Sequence, residues 1–210
     1  MNEHATPIAY PLQVEGQLDG RLSRWLWLVK WVLTIPHFIV LVFLWVAFVL
    51  LTVVAFFAIL FTGRYPRGMF DFNVGVLRWS WRVGFYGASA LGTDRYPPFS
   101  LHRADYPAGL EIAYPEHLSR WKAVLKPWLL ALPHYAILTA LVWGWGDGTG
   151  FAAPSLLAVL IVIAAVVLLV RGRYPRDIFA LVVGINRWAL RVAAYAGLMR
   201  DEYPPFRLDR

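Results

Sequence analysis

The block GRYPRGMFDFNVGVLRWSWRV begins at Gly63 and returns as GRYPRDIFALVVGINRWALRV at Gly172, with 12 of 21 positions identical. Each copy follows directly on a long apolar run. A chain that repeats itself this way is expected to build two equivalent units, the second covering a flank that the first leaves exposed. The correspondence reaches much further. Tyr10-Pro11, Glu15 and Leu22-Ser23-Arg24-Trp25 reappear 96 residues later as Tyr106-Pro107, Glu111 and Leu118-Ser119-Arg120-Trp121. Pro36-His37 matches Pro133-His134, Arg78-Trp79 matches Arg187-Trp188, and Tyr96-Pro97-Pro98-Phe99 matches Tyr203-Pro204-Pro205-Phe206. A tail, 1–9, therefore precedes repeat 1 at 10–101 and repeat 2 at 106–210.

The apolar runs set the class. Trp31 to Gly63 holds no charged residue, and Pro127 to Val170 holds only Asp147. A bilayer core needs about 20 apolar residues per helix, and both windows exceed that. The whole chain is 59% hydrophobic and 16% charged, against about a quarter charged in soluble domains. The first 20 residues are polar, with no basic segment leading into an apolar core, so no cleaved signal peptide is expected. There is no cysteine, which excludes disulfides and thiolate metal sites.

The spacing between copies grows from 97 at the Pro-His pair to 109 at GRYPR, so repeat 2 carries extra residues around WGWGDGTGFAAP. That Gly-rich stretch reads as the turn of a helical hairpin. By analogy each repeat is expected to hold a membrane hairpin, about 22–62 in the first and about 118–171 in the second, with Arg24 and Lys30 snorkelling to the surface. All 20 Lys and Arg lie outside the two windows. Hairpins place every one of them on one side, which the positive-inside rule makes cytoplasmic. The expected fold is thus all-α and integral to the membrane, with four membrane helices and both termini cytoplasmic.

After each GRYPR comes a helix, about 68–91 and about 177–199, in which Arg78 and Arg82, like Arg187 and Arg191, are four apart on one face. Arginine beside tryptophan suggests an amphipathic helix lying in the membrane interface. Paired prolines end it. YPLQVEG and LEIAYP alternate apolar residues and suit a small cytoplasmic two-stranded sheet.

Two sets of residues are candidates for a site. Arg64, Arg67, Arg78, Arg82, Arg173, Arg176, Arg187 and Arg191 suit anionic lipid headgroups, since guanidinium grips phosphate oxygens bidentately. The net charge of +7 fits this partner better than nucleic acid, because the basic residues sit at the ends of apolar spans. His37 and His134 each follow a proline in the first turns of a membrane segment. They suit haem or metal ligation across a pseudo-two-fold axis, or more simply a bond to a carbonyl freed by the proline. No carboxylate inside the windows stands ready to orient either imidazole. The acidic residues and serines compose no catalytic set, and Ser23 and Ser119 read as helix N-caps.

RLSRWLWLVKW, IPHFIVL, the GRYPR block and TDRYPPFSL together resemble a bacterial membrane-protein family catalogued as domain of unknown function 4389. The second copy departs from it in lacking the FDF triplet, where it has Phe179-Ala180-Leu181. The resemblance implies a bacterial envelope protein and carries no activity with it; together with the hairpin reading, the expected location is the bacterial inner membrane, multi-pass. The residues favour a non-enzymatic scaffold or accessory subunit that contacts anionic lipid and other membrane subunits. The alternatives are a small transporter on parallel repeats and a haem protein using the two histidines; no resident cofactor is otherwise expected.

Overall fold

The computed structural model describes residues 10–146 and 152–209; the tail 1–9, residues 147–151 of the Gly-rich turn and the last residue lie outside the described residues. The chain runs β1 (Leu12–Gly16), α1 (Trp27–Leu33), α2 (Ile35–Thr62), α3 (Arg67–Val83), β2 (Ala108–Ile112), α4 (Arg120–Leu125), α5 (Leu132–Leu138), α6 (Leu156–Arg171) and α7 (Arg176–Ala196). π-helical turns extend α3 over Gly84–Ala88, join α4 to α5 and extend α5 over Thr139–Trp143. A short two-stranded pairing of Trp145–Gly146 with Ala152–Ala153 brackets the turn of the second hairpin. The protein is mostly helical, with the small sheet that the alternating segments suggested.

That sheet joins the repeats. β1 of the first copy pairs antiparallel with β2 of the second, from Leu12↔Ile112 to Gly16↔Ala108. Its flanking bonds, Gln17 N–H to Pro107 O and Ala113 N–H to Pro11 O, fix the parity of the ladder. Val14 and Leu110 therefore form a non-hydrogen-bonded pair, with their carbonyls pointing out of the ribbon.

The first copy departs from the expected hairpin. α2 is one helix of 28 residues, about 42 Å long. The reason is compositional: no Gly or Pro interrupts residues 37–62, whereas the second copy has Gly144, Gly146, Gly148, Gly150 and Pro154 at the matching stage. Among the described residues, α2 and α7 are the helices long and apolar enough to cross a membrane. The expected count of four rests on shorter elements, including α6 with 16 residues.

α2 and α6 both end where glycine permits. Gly63 (φ 69°) and Gly172 (φ 67°) adopt the left-handed conformation and bond back to Ile59 O and Leu168 O. Pro66 and Pro175 then cap α3 and α7. So GRYPR is a helix–turn–helix joint in which glycine performs the stop and proline the restart. Its tyrosines are both buried. The Tyr65 hydroxyl accepts from Asn73 Nδ2 at 2.9 Å; Tyr174 donates to Ala90 O at 2.9 Å, in the other repeat.

The elements stack in layers. α3 faces α2 through Trp79 and Val83, which pack with Leu41, and faces the sheet through Arg78 and Trp81. α7 stands likewise between α5 and β1, through Trp188 and Arg187. α3 and α7 are therefore an inner layer, not interfacial helices: Trp79, Trp81, Trp188 and Tyr195 are all at most 6% exposed. A face rich in Arg and Trp looks amphipathic in sequence whether lipid headgroups or protein carbonyls satisfy it. The outer layer is the opposite case. α2 buries only the stripe His37, Leu41, Phe48, Ala55 and Ile59, while residues such as Phe43 (71%) and Phe61 (77%) stand exposed.

Candidate functional site

Each repeat closes its tail over the start of its apolar segment. The tail after YPPF lies directly on the inner helix because a glycine leaves room for it. A Cβ on Gly75 would stand 3.1 Å from Leu101 O, and one on Gly184 would stand 3.0 Å from Leu208 O. These contacts explain why VG recurs in both copies at this point. Arginines one and two turns further along grip the same tail.

Arg78 donates through Nη1 to Leu101 O at 3.0 Å and through Nε to Leu110 O at 3.0 Å, while Nη2 faces Glu111. Arg187 repeats the pattern, with Nη1 to Leu208 O at 2.9 Å and Nε to Val14 O at 3.3 Å. Arg82 Nη2 bonds Ser100 O and His102 O, and Arg191 bonds Arg207 O and Asp209 O. The outward carbonyls of the Val14–Leu110 pair are thus each taken by an arginine of the other copy. Arg82 and Arg191 are 1% exposed. Burial, with Arg78 nearby, lowers the Arg82 pKa to about 10, which still leaves it charged at neutral pH.

The expectation that Arg78, Arg82, Arg187 and Arg191 bind lipid headgroups is therefore corrected. Their guanidinium groups donate chiefly to backbone carbonyls of the tails and of the outward edges of the sheet. Arg64, Arg67, Arg173 and Arg176 remain on the surface, Arg67 over the Tyr114 ring at 4.8 Å. Arg24 lies against Gly172, and Arg120 donates to Phe61 O, so each copy's entry arginine sits at the C-terminal end of the other copy's apolar helix. A cation there complements the helix dipole.

The folded tails also make two aromatic cages. In the first, Phe99 stacks on His37 with centroids 3.9 Å apart at 15°, and Tyr96 and Trp79 close the remaining sides. Trp79 Nε1 donates to His37 Nδ1 at 3.1 Å, so Nδ1 is the acceptor and Nε2 carries the proton. In the second, Phe206 stacks on His134 at 4.3 Å and 17°, with Tyr203 and Trp188 beside it. Both histidines are 0% exposed, so no space the size of a water molecule adjoins either ring. Neither nitrogen of His134 has a partner, nor does His37 Nε2. Axial ligation of a haem needs an open slot at Nε2. Two closed cages, each built from its own repeat, do not offer one. Nor do they use the carbonyl that proline frees.

Below each cage lies a buried ion pair that sequence reading did not connect. Lys30, 2% exposed, meets Asp94 at 2.8 Å and Thr93 O at 2.6 Å. Lys126, 1% exposed, meets Asp201 and bonds Arg200 O at 2.9 Å. Lys30 is thus anchored inward and does not snorkel. The two aspartates also accept the backbone N–H of Ser23 and Ser119 at 2.6 Å and 2.7 Å; Ser119 stands at the N-cap of α4 as expected, and Ser23 Oγ accepts the Leu26 N–H at the turn into α1. The signal was present: Lys30 and Lys126 are 96 apart, like the serines.

Among the described residues no three His, Asp or Glu side chains gather as a metal site. The polar groups of the interior hold tails to helices and one repeat to the other. What emerges is a class: a duplicated helical protein with an arginine- and tryptophan-bearing inner layer and an apolar outer one. The chain belongs to the family described as domain of unknown function (DUF4389), whose model matches residues 24–100 and 149–207. The matched segments leave out residues 101–148. No curated protein and no solved structure matches the chain.

Proposed function

We propose that this protein is a non-enzymatic scaffold embedded in the bacterial inner membrane, an accessory subunit whose outer layer meets lipid and the helices of other membrane proteins. The observation that carries this reading is the surface of α2. A helix of 28 residues that is buried along one stripe alone presents large apolar side chains on its remaining sides. Monomeric soluble proteins rarely expose contiguous apolar patches of more than a few hundred Å². Burial at roughly 25 cal/mol per Å² makes the transfer of such a surface into hydrocarbon strongly favourable.

In this reading α1, α2, α4, α5 and α6 form a multi-pass apolar layer, while the sheet and both tails stay on the cytoplasmic side. Exposed Trp25, Trp31 and Trp121 mark the interface. Arg64, Arg67, Arg173 and Arg176, at the two GRYPR joints, meet anionic phospholipid. The buried arginines and lysines serve rigidity, which suits a scaffold. A permeation path needs polar lining, and the arginines and lysines of the interior chiefly tie tails to helices and one repeat to the other.

Native mass spectrometry of the protein extracted gently from its own membrane tests the proposal. A defined assembly with other polypeptides at fixed stoichiometry is expected. A lone chain that retains neither partner nor lipid would overturn it.

A further inference from the structure

The two repeats leave a gap where they meet. A cleft of about 440 Å³ opens there, bounded by Trp45 of α2, Tyr135 of α5, Leu77 of α3 and Ala193 of α7. That is the size of a small-molecule site. Its walls are mostly apolar, and among the described residues no charged side chain lines it.

Three of its polar side chains are not demanded by the fold. Asn186 stands where the first copy has Leu77, Ser80 where the second has Ala189, and Tyr135 where the first has Phe38. An apolar residue is accepted at each position in the other copy, yet all three polar versions line one cleft. Each also has hydrogen-bonding capacity to spare. The Asn186 amide spends both N–H groups, on Ser89 O at 3.0 Å and Val182 O at 2.8 Å, and its Oδ1 has no partner among the described residues. Unlike Asn73 Oδ1, which is sealed in the interior, that oxygen keeps accessible surface. Ser80 Oγ accepts the Trp45 indole N–H at 3.1 Å, which leaves its own proton unspent. The Tyr135 hydroxyl, on a residue 37% exposed, has no partner among the described residues either. Open polar groups in an apolar layer are costly, and a ligand that pairs with them removes the cost.

We propose that this cleft binds an uncharged lipid, an acylglycerol whose chain lies along the apolar walls. Its ester carbonyl accepts from Tyr135 and Ser80, and its free hydroxyl donates to Asn186 Oδ1. An acylglycerol carries both the acceptor and the donor that these three groups lack. A phosphate or carboxylate would bring a charge to a place with no cation to meet it. The site rests on the reading that the outer layer meets lipid.

Trp45 and Trp81 line the cleft and supply the signal. The chain is reconstituted in phosphatidylcholine vesicles with a trace of pyrene-labelled diacylglycerol or of pyrene-labelled phosphatidylcholine, and energy transfer from tryptophan to pyrene is followed. Labelled diacylglycerol should give several-fold more transfer than labelled phosphatidylcholine, and unlabelled diacylglycerol should compete the excess away. Asn186→Leu and Tyr135→Phe install what the other copy carries, so both should fold, and each should weaken the competition about tenfold. Ala189→Leu, which fills the cleft and removes no hydrogen bond, should abolish the excess. Equal transfer from the two labels, or an excess unchanged in all three variants, would overturn the site while leaving the outer layer in lipid. No transfer from either label would overturn the membrane reading itself, and the site with it.

Discussion

Arg78 reaches across the repeat boundary: its Nε–H donates to the carbonyl oxygen of Leu110 at 3.0 Å. Leu110 pairs with Val14, whose carbonyl accepts from Arg187 at 3.3 Å. One two-stranded ribbon is thus clamped from both edges by matching arginines of opposite copies. Removing either clamp leaves edge carbonyls without a donor and a tail without its anchor. Arg78→Ala and Arg187→Ala should each cost about 2–3 kcal/mol, and Lys should restore little, because an ammonium does not fork to two carbonyls. The double variant should deviate from additivity, since both act on one strand pair. Denaturation of the four species in detergent measures this.

The cages predict an asymmetry between the histidines. His37 accepts the Trp79 indole N–H, whereas His134 has neither nitrogen engaged. His37→Phe should therefore destabilise by about 1–2 kcal/mol, through the stranded indole. His134→Phe removes two unsatisfied polar atoms and should be neutral or stabilising. Thermal midpoints of the two variants give the answer. A large loss for His134→Phe alone would point to a partner for that ring.

Asp94 and Asp201 hold buried lysines and helix starts together. Asp94→Asn leaves Lys30 charged, buried and half-served, and should cost about 3 kcal/mol. The added change Lys30→Met should recover much of the loss, because an apolar group of similar length needs no counter-ion. Both variants are compared by thermal unfolding.

The joints predict a context effect. A Cβ on Gly172 would meet the Arg24 guanidinium at 2.6 Å, whereas on Gly63 the nearest atom stands at 3.7 Å. Gly63→Ala should cost about 1 kcal/mol, the penalty of the left-handed conformation. Gly172→Ala should cost more, and Arg24→Ala should remove the excess. Unfolding free energies of the three variants test this.

The duplication and the strand pairing were legible in the sequence because identities at fixed offsets and period-two alternation can be read without knowing the fold. The second hairpin was legible too, from its glycines. The first was misread by carrying the second copy's turn onto a run that has no glycine or proline to bend it. The four inner arginines were misread for a different reason: lipid phosphate and an unpaired strand carbonyl ask for the same donor, and only the fold says which one is near. The Lys30–Asp94 pair spans 64 positions, so only matched recurrence of both members in the second copy announced it.

The central claim is that the outer apolar layer faces the membrane while the sheet faces the cytoplasm. The chain has no cysteine, so single cysteines can report directly. Phe43→Cys and Val162→Cys lie in the outer layer, 71% and 60% exposed, and Asp105→Cys lies beside the sheet, with its side chain 99% exposed. Each variant is treated with a membrane-impermeant maleimide in sealed inverted vesicles. The account predicts rapid labelling of Asp105→Cys, and none of Phe43→Cys or Val162→Cys until detergent is added. Labelling of Phe43→Cys in intact vesicles as fast as Asp105→Cys would place α2 in water and contradict it.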